Sequence, residues 1–314
     1  MFAPEYSISS EILKNISTVE YCRALIENTP ILPHWQNQLQ KEARVRFVRA
    51  ALLSEGSSIS EDTVKKEVDG FAKSQHQEIK NVVATLELKM ELDDTEIKEI
   101  HKTLGGEGKY RSVTLRGGSD PEEILAEIVA LFDWYGSLDA RDTHPIIVAG
   151  IVFAQLEEIK PFKTLNTTVA MICAKMLLSE SGYSLNDYLV FEDFFAENQR
   201  AHSAALDSAH EDLTEWLEYF TDVVSRKISN LKEKVLLLAR DTKVAKATGR
   251  IDLTERQQRI VEFLQDYGLL QNKDFGRVFP DISEDTVLRD LKVLIDKDIV
   301  EKRGSTKSSR YELK

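Results

Sequence analysis

The chain has 314 residues, enough for one large domain plus a small one, and 42% of them are hydrophobic, which supports a sizeable core. Charged residues make up 30% and the formal net charge is -12, which excludes a chain that coats nucleic acid or anionic membrane non-specifically while leaving room for a local basic patch. Two cysteines, Cys22 and Cys173, both in apolar helical runs, exclude a disulfide framework and a cysteine metal site, and they fit a reducing, cytoplasmic setting.

The N-terminal run MFAPEYSISSEIL has neither a basic start nor a long apolar stretch, and no window is apolar over the length of a membrane span. No membrane partner is expected. Residues Ile8 to Gln75 carry helix-period apolar positions, interrupted by the Pro30 and Pro33 turn. The helical pattern continues through VVATLELKMEL and stops at Gly105, Gly106 and Gly108.

In KYRSVTLRGG, Tyr110, Ser112 and Thr114 alternate with Arg111, Val113 and Leu115, which predicts a short strand or hairpin. Asp120-Pro121 opens a helix through Trp134, and His144-Pro145 opens another through Glu158, with Pro in the first turn where its missing N–H costs nothing. His144 reads as a helix start and not as a catalytic base. His34, His76, His101, His202 and His210 show no metal-ligand spacing, and no metal site is expected.

VAMICAKMLL is apolar almost all round and predicts a helix in a domain centre. Helical pattern, broken near Tyr183 to Tyr188, runs on through Phe191 to Leu238. RDTKVAKATGRID is polar and reads as a linker, which places a boundary near Ala245 to Arg250.

Between two of these helices lies IKPFKTLNTTVAM. A loop entering a helix N-terminus offers free N–H groups and a positive dipole end to an anion, but this one has no glycine to let backbone approach a phosphate. Its layout resembles the Fic family motif HPFxDGNGRxxR. Pro161, Phe162 and Asn166 match; Lys160 stands for the His, Thr164 for the Asp, Leu165 and Thr167 for the two Gly, and Thr168 and Met171 for the two Arg. KYRSVTLRGG, with Tyr110, Arg111, Ser112 and Val113, lies where Fic proteins carry the β-hairpin flap that clamps a target. ALLSEGSSIS resembles the inhibitory-helix motif [S/T]xxxE[G/N], with Glu55 and Gly56 matching and Ala51 at the Ser/Thr position.

The resemblance implies transfer of AMP from ATP to a protein hydroxyl, with the His as base, the Asp holding Mg²⁺ and the glycines and arginines cradling phosphates. A lysine ammonium is a poor general base at neutral pH, and losing the base alone removes roughly 10²- to 10⁴-fold in rate. Thr168 lacks the bidentate donor of an arginine, and with Met171 at the second Arg position Glu55 is expected to have lost its inhibitory partner. Three readings of the turn stay open. It is an ordinary interhelical turn with Phe162 filling core, Pro161 turning the chain and Asn166 capping the next helix; or a weakened site for ATP with Mg²⁺ in which Lys160, Asn166, Thr167 and Thr168 contact nucleotide; or an active transferase using another base.

From Ile251 the sequence predicts a helix at Thr254, where Thr254 and Gln257 form a capping box, a short helix around Lys273 to Val278, an amphipathic helix after Ser283, and two extended runs around Gly304. Three helices and a hairpin resemble a winged helix-turn-helix domain, which often follows Fic domains. Its third helix sets Glu284, Asp285, Asp290 and Asp296 against Arg289 and Lys292, a poor match to a polyanion, whereas the wing carries Lys302, Arg303, Lys307 and Arg310. Protein docking or dimerisation is the first reading of this unit and DNA binding the second.

The expected fold is mainly α, a Fic-like helical domain with a β-hairpin flap followed by a winged helix-turn-helix domain. Residues 1–95 form a helical region on the core, 96–225 the core with flap and motif, 226–250 a helix end and linker, and 251–314 the winged unit. The functional expectation is a Fic-family protein with lost or strongly impaired adenylyltransferase activity that works as an interaction module with a protein partner. A residual nucleotidyltransferase and a DNA-binding regulator are the alternatives.

Overall fold

Polar caps and prolines set the starts of the helices. In the computed structural model, which describes residues 2–69, 75–88, 92–209, 212–247, 253–280, 282–297, 299–304 and 309–313, α1 (Ser10–Glu27) begins where the Ser9 hydroxyl accepts from the N–H of Ile12. Lys307, His210 and the side chain of His34 lie outside the described set. There follow α2 (Pro33–Ser54), α3 (Glu61–Val68), α4 (Gln77–Thr85), α5 (Asp94–Thr103), α6 (Ile124–Tyr135), α7 (Leu138–Asp142), α8 (Pro145–Ile159), α9 (Asn166–Glu180), α10 (Glu192–Glu197), α11 (Gln199–Asp207) and α12 (Thr214–Ala247). The chain divides into two units, one of Met1–Pro30 and Leu39–Leu236, the other of Ile31–Gln38 and Leu237–Lys314.

In the first unit α8 is the central element. Its run from Ile146 to Ala154 is buried on every side, as the all-round apolar sequence requires, and it packs along α9 through Val169 to Ala174, also buried. Each fully buried Ile or Phe of this kind contributes about 1.5–3 kcal/mol. Gly150 lets α12 approach α8: a Cβ there would meet the Leu217 side chain at 2.9 Å and the Phe220 ring at 3.1 Å. The Trp216 indole fills the space beside it and donates to the Gly150 carbonyl at 2.8 Å. Around Trp216 the rings of Phe153, Phe195, Phe220 and His202 pack with centroids 5.5 to 6.3 Å away, and burial takes the His202 pKa down to about 4, so it sits neutral in this cluster.

From Glu255 on, the second unit has three α-helices and three short strands among the described residues. α13 (Glu255–Tyr267) opens on the expected capping box of Thr254 and Gln257. β1 (Leu270–Gln271), a short 3₁₀ turn at Asn272–Asp274, α14 (Phe275–Val278) and α15 (Glu284–Asp296) lead to the hairpin β2 (Val300–Arg303) and β3 (Arg310–Leu313). The sheet is antiparallel in the order β1-β3-β2, with Tyr311 opposite both Leu270 and Lys302. Ile260, Leu264, Phe275, Phe279, Leu291, Leu294 and Tyr311 are buried between helices and sheet.

The fold is mainly helical with one small sheet, as the sequence predicts. Two local expectations are corrected. KYRSVTLRGG forms no strand: Ser112, Val113 and Thr114 are exposed, and no ladder pairs with them among the described residues. The polar run from Arg240, read as a linker, is helical as far as Ala247, because its lysines, arginine and alanines are strong helix formers. Among the described residues no helix is long and apolar enough to cross a membrane. Both cysteines are buried and free.

Gly150→Ala should lower unfolding free energy by about 1–3 kcal/mol, because the added methyl overpacks the α8–α12 seam. Urea denaturation followed by helical circular dichroism checks this, and an unchanged midpoint would show that the seam is slack.

Candidate functional site

The site is the turn joining α8 to α9. Lys160 and Leu165 both adopt left-handed backbone, φ 46° and 65°, a conformation that costs a non-glycine residue about 1–2 kcal/mol. Leu165 holds the position that the Fic motif gives to glycine, so the glycine-type geometry persists with a branched side chain attached. Asn166 closes the turn on itself: its amide donates to the Phe162 carbonyl at 2.8 Å and its Oδ1 accepts from the Phe162 N–H at 2.9 Å. The expectation that Asn166 caps α9 is thereby corrected; its side chain is engaged within the loop, and the residue at the cap position, Leu165, supplies no side-chain bond.

The carbonyls at the end of α8 are collected by Arg111. Its guanidinium donates to Lys160 O at 2.7 Å, Ile159 O at 3.1 Å, Val113 O at 2.8 Å and Ser119 O at 2.5 Å, and its backbone N–H donates to Pro161 O at 2.9 Å. Only 2% of Arg111 is exposed. This corrects the reading of Arg111 as a target-facing flap residue: the five donors of a planar guanidinium suit it to bracing carbonyls, and it pins the 110–119 segment onto the turn. Tyr110 is turned inward as well, with its hydroxyl donating to the Asp94 carboxylate and its ring tilted 43° against Phe162; burial and that bond push its pKa up. Ser112 and Val113 alone remain exposed as the flap reading requires.

Lys160 does not reach into the turn. Its Nζ donates to Arg116 O at 3.4 Å, and Thr164 is exposed. Phe162 is fully buried, stacked on His101 at 3.9 Å with the Nδ1 of that imidazole accepting from the Gly108 N–H. Burial lowers the His101 pKa and keeps the ring neutral. No motif spacing marks His101; it comes to the turn only through the fold.

At the N-terminus of α9 the protein supplies its own anion. Glu55 Oε1 accepts from the Thr168 hydroxyl at 2.9 Å and from the Thr168 N–H at 3.4 Å, while the same hydroxyl lies 3.3 Å from Ser54 Oγ. The expectation that Glu55 is left without a partner is therefore corrected: Met171 is buried and inert, and Thr168 takes the carboxylate instead. Gly56, φ 76°, turns the chain after Glu55 and ends α2. Sequence reasoning missed Glu157, the buried acid in the last turn of α8. Its carboxyl lies against the Thr167 hydroxyl, and its Oε1 has no hydrogen-bond partner among the described residues. Burial raises its pKa, helped by Glu55, against the opposing pull of the Thr167 bond and Lys160.

In the second unit, Arg289 and Lys292 are exposed on α15, but Asp290 is not; it is buried and takes a bond from Arg256 at 2.8 Å and another from Gln257 at 3.3 Å. Arg303 pairs with Glu301 along β2 and with Glu312 across the hairpin, Lys302 lies 5.9 Å above the Tyr311 ring, and Arg310 is exposed.

Residues 91–178, which run from the edge of α5 to α9 and include the whole turn, match the model of the Fic/DOC family. This segment is a Fic/DOC-family domain. No curated protein matches the chain. Among solved structures, a Fic family protein from Desulfovibrio desulfuricans G20 is 19% identical, with TM-score 0.65 over 100% of this chain and 98% of that one. A Fic domain containing signaling protein from Bacteroides thetaiotaomicron is 18% identical, with TM-score 0.58 over 74% and 98%. Fic-1 from C. elegans is 17% identical, with TM-score 0.57 over 71% of each chain. At these identities the likeness is one of fold.

Glu157 gives the Fic domain a pH signature. A carboxyl whose folded pKa lies above its unfolded value opposes folding once the pH passes the unfolded value, because the unfolded chain then releases a proton that the folded one keeps. Glu157→Gln, which mimics the protonated group, should therefore raise Tm at about pH 7.5 and leave it unchanged at about pH 3.5, below the ordinary glutamate range. A Tm loss at both values would mean that the ionised carboxylate is needed in the fold.

Proposed function

We propose that the chain is a Fic-domain protein whose AMP-transfer chemistry is lost or strongly impaired, and that it acts as an interaction or regulatory module. The observation that carries this reading is the Glu55 carboxylate on Thr168, at the helix terminus where a nucleotide phosphate would have to sit. ATP with Mg²⁺ does not fit the residues present. Thr164 offers no carboxylate to a metal, Leu165 projects a branched side chain where backbone would approach phosphate, Met171 donates nothing, and Glu55 and Glu157 place acids beside the anion seat. Lys160, at the position of the family's base, is turned to Arg116 O.

Incubation with labelled ATP and Mg²⁺ should leave no AMP on the protein itself or on proteins of a cell extract, under conditions where a Fic protein with an intact motif is active. Glu55→Gly should stay equally silent, because it frees the helix terminus without restoring base, metal ligand or arginine. Covalent label that appears in Glu55→Gly and disappears on adding Lys160→Ala would support a residual transferase restrained by Glu55.

The second unit fits protein docking better than duplex DNA. Glu284 and Asp285 stand in the first turn of α15, the end that a recognition helix points at base edges, and Arg303 is already paired. Any DNA contact would fall to Lys302 and Arg310. We expect binding to duplex DNA to be weak, steeply salt-dependent and abolished by Lys302→Glu with Arg310→Glu, while Arg289→Ala leaves sequence preference unchanged. Tight, sequence-selective binding that depends on Arg289, measured by fluorescence anisotropy, would favour a DNA regulator.

A further inference from the structure

α6 faces the core with Ile124, Ile128, Leu131 and Trp134, and its opposite face is not polar. Leu125 and Val129 are 53% and 42% exposed and, with the half-buried Phe132 and with Gly136, follow the i, i+4, i+7, i+11 spacing of a single helical stripe. Leu138, at the start of α7, extends the stripe with 74% of its surface exposed. Apolar side chains aligned in this way differ from the scattered exposed leucines of an ordinary surface.

Beside the stripe opens a cavity of about 460 Å³ whose floor is Phe132, Pro145, Val148 and Leu177, with Arg141 and Glu180 on its wall. It touches the first turn of α8 and the last turn of α9, so it lies at the opposite end of the helix pair from the Lys160–Asn166 turn, roughly 20 Å away at 1.5 Å per helical residue. It is no part of the site described above, and what it binds does not depend on whether the domain transfers AMP.

The flank of the stripe is acidic. Asp133 borders it on α6, Glu122 in the turn just before α6, and Asp139 follows Leu138; all three are exposed, and among the described residues none of the three enters an ion pair. Two copies of this face brought together would oppose acid to acid, which disfavours self-association through it. An acidic border around an apolar strip, with Arg141 as the basic group on the adjoining cavity wall, is complementary to one class of occupant, an amphipathic helix with basic residues flanking its apolar edge.

We propose that the outer face of α6 docks a basic amphipathic helical segment of a protein partner, with one large apolar side chain of that segment anchored in the cavity between α6, α8 and α9. The apolar anchor supplies the affinity and the acidic border the orientation.

The probe is a fluorescein-labelled synthetic helix with leucines and one tryptophan along one edge and lysines beside them, titrated with the full chain and read by anisotropy. A second peptide carries glutamates for the lysines, and a third has the same composition scrambled. The lysine peptide should bind and weaken as salt rises from about 50 to about 500 mM, and the other two should not bind. Val129→Lys and Leu125→Lys should each weaken it about tenfold or more, in keeping with loss of a central interface contact, while Leu13→Lys on α1 changes nothing. All three positions are exposed, and an unchanged melting curve confirms that each variant is folded. Failure of the lysine peptide to bind, equal binding of the glutamate peptide, or indifference to Val129→Lys would overturn the proposal. So would a dimer in sedimentation that dissociates in Val129→Lys, since a second copy would then be the occupant.

Discussion

The helix pair α8–α9 ends in carbonyls and begins in N–H groups that a buried turn cannot leave unpaired. Arg111 resolves the first half of this constraint by placing one guanidinium among four carbonyls, two of them, from Ile159 and Lys160, at the end of α8. Glu55 meets the second half from a different helix, at Thr168. Asn166 ties the loop between them. The protein's own groups thus meet much of the turn's polar demand, although Glu157 Oε1 stays unpartnered among the described residues.

Conformation and chemistry part company at this site. Leu165 keeps a left-handed backbone that glycine would adopt at no cost, so the turn's shape is maintained by its surroundings and not by local preference. Phe162 is locked between His101 and Tyr110, and the 110–119 segment is pinned by Arg111.

Elements with strong local signals were legible in the sequence. His144-Pro145 starts α8, with the His144 imidazole capping the Ile146 N–H, and Thr254 with Gln257 starts α13. The turn between α8 and α9 was legible as a break between two apolar helical runs, and in it Asn166 ties the loop to Phe162. What the sequence hid were polar residues with interior roles. Arg111 alternates with Val113 and Leu115 in a pattern that reads as a strand, and nothing local says that two of its partners, Ile159 and Lys160, lie nearly fifty residues on. Asp290 reads as a surface acid, although it lies one helical turn before Leu294 on the apolar side of α15 and could have been placed inside on that ground. Glu157 is lost in a run of apolar letters, and β1, two residues long, is too short for any period to show.

Glu55 sits on Thr168 at the α9 terminus, and the proposal is that no nucleotide displaces it. Isothermal titration of the full chain with ATP and Mg²⁺ tests it most directly: no saturable heat should appear up to about 1 mM nucleotide, the concentration below which a phosphate site of useful affinity would fill. A saturable signal with a micromolar Kd that Thr168→Val abolishes would show that nucleotide takes the seat after all, and would contradict the account.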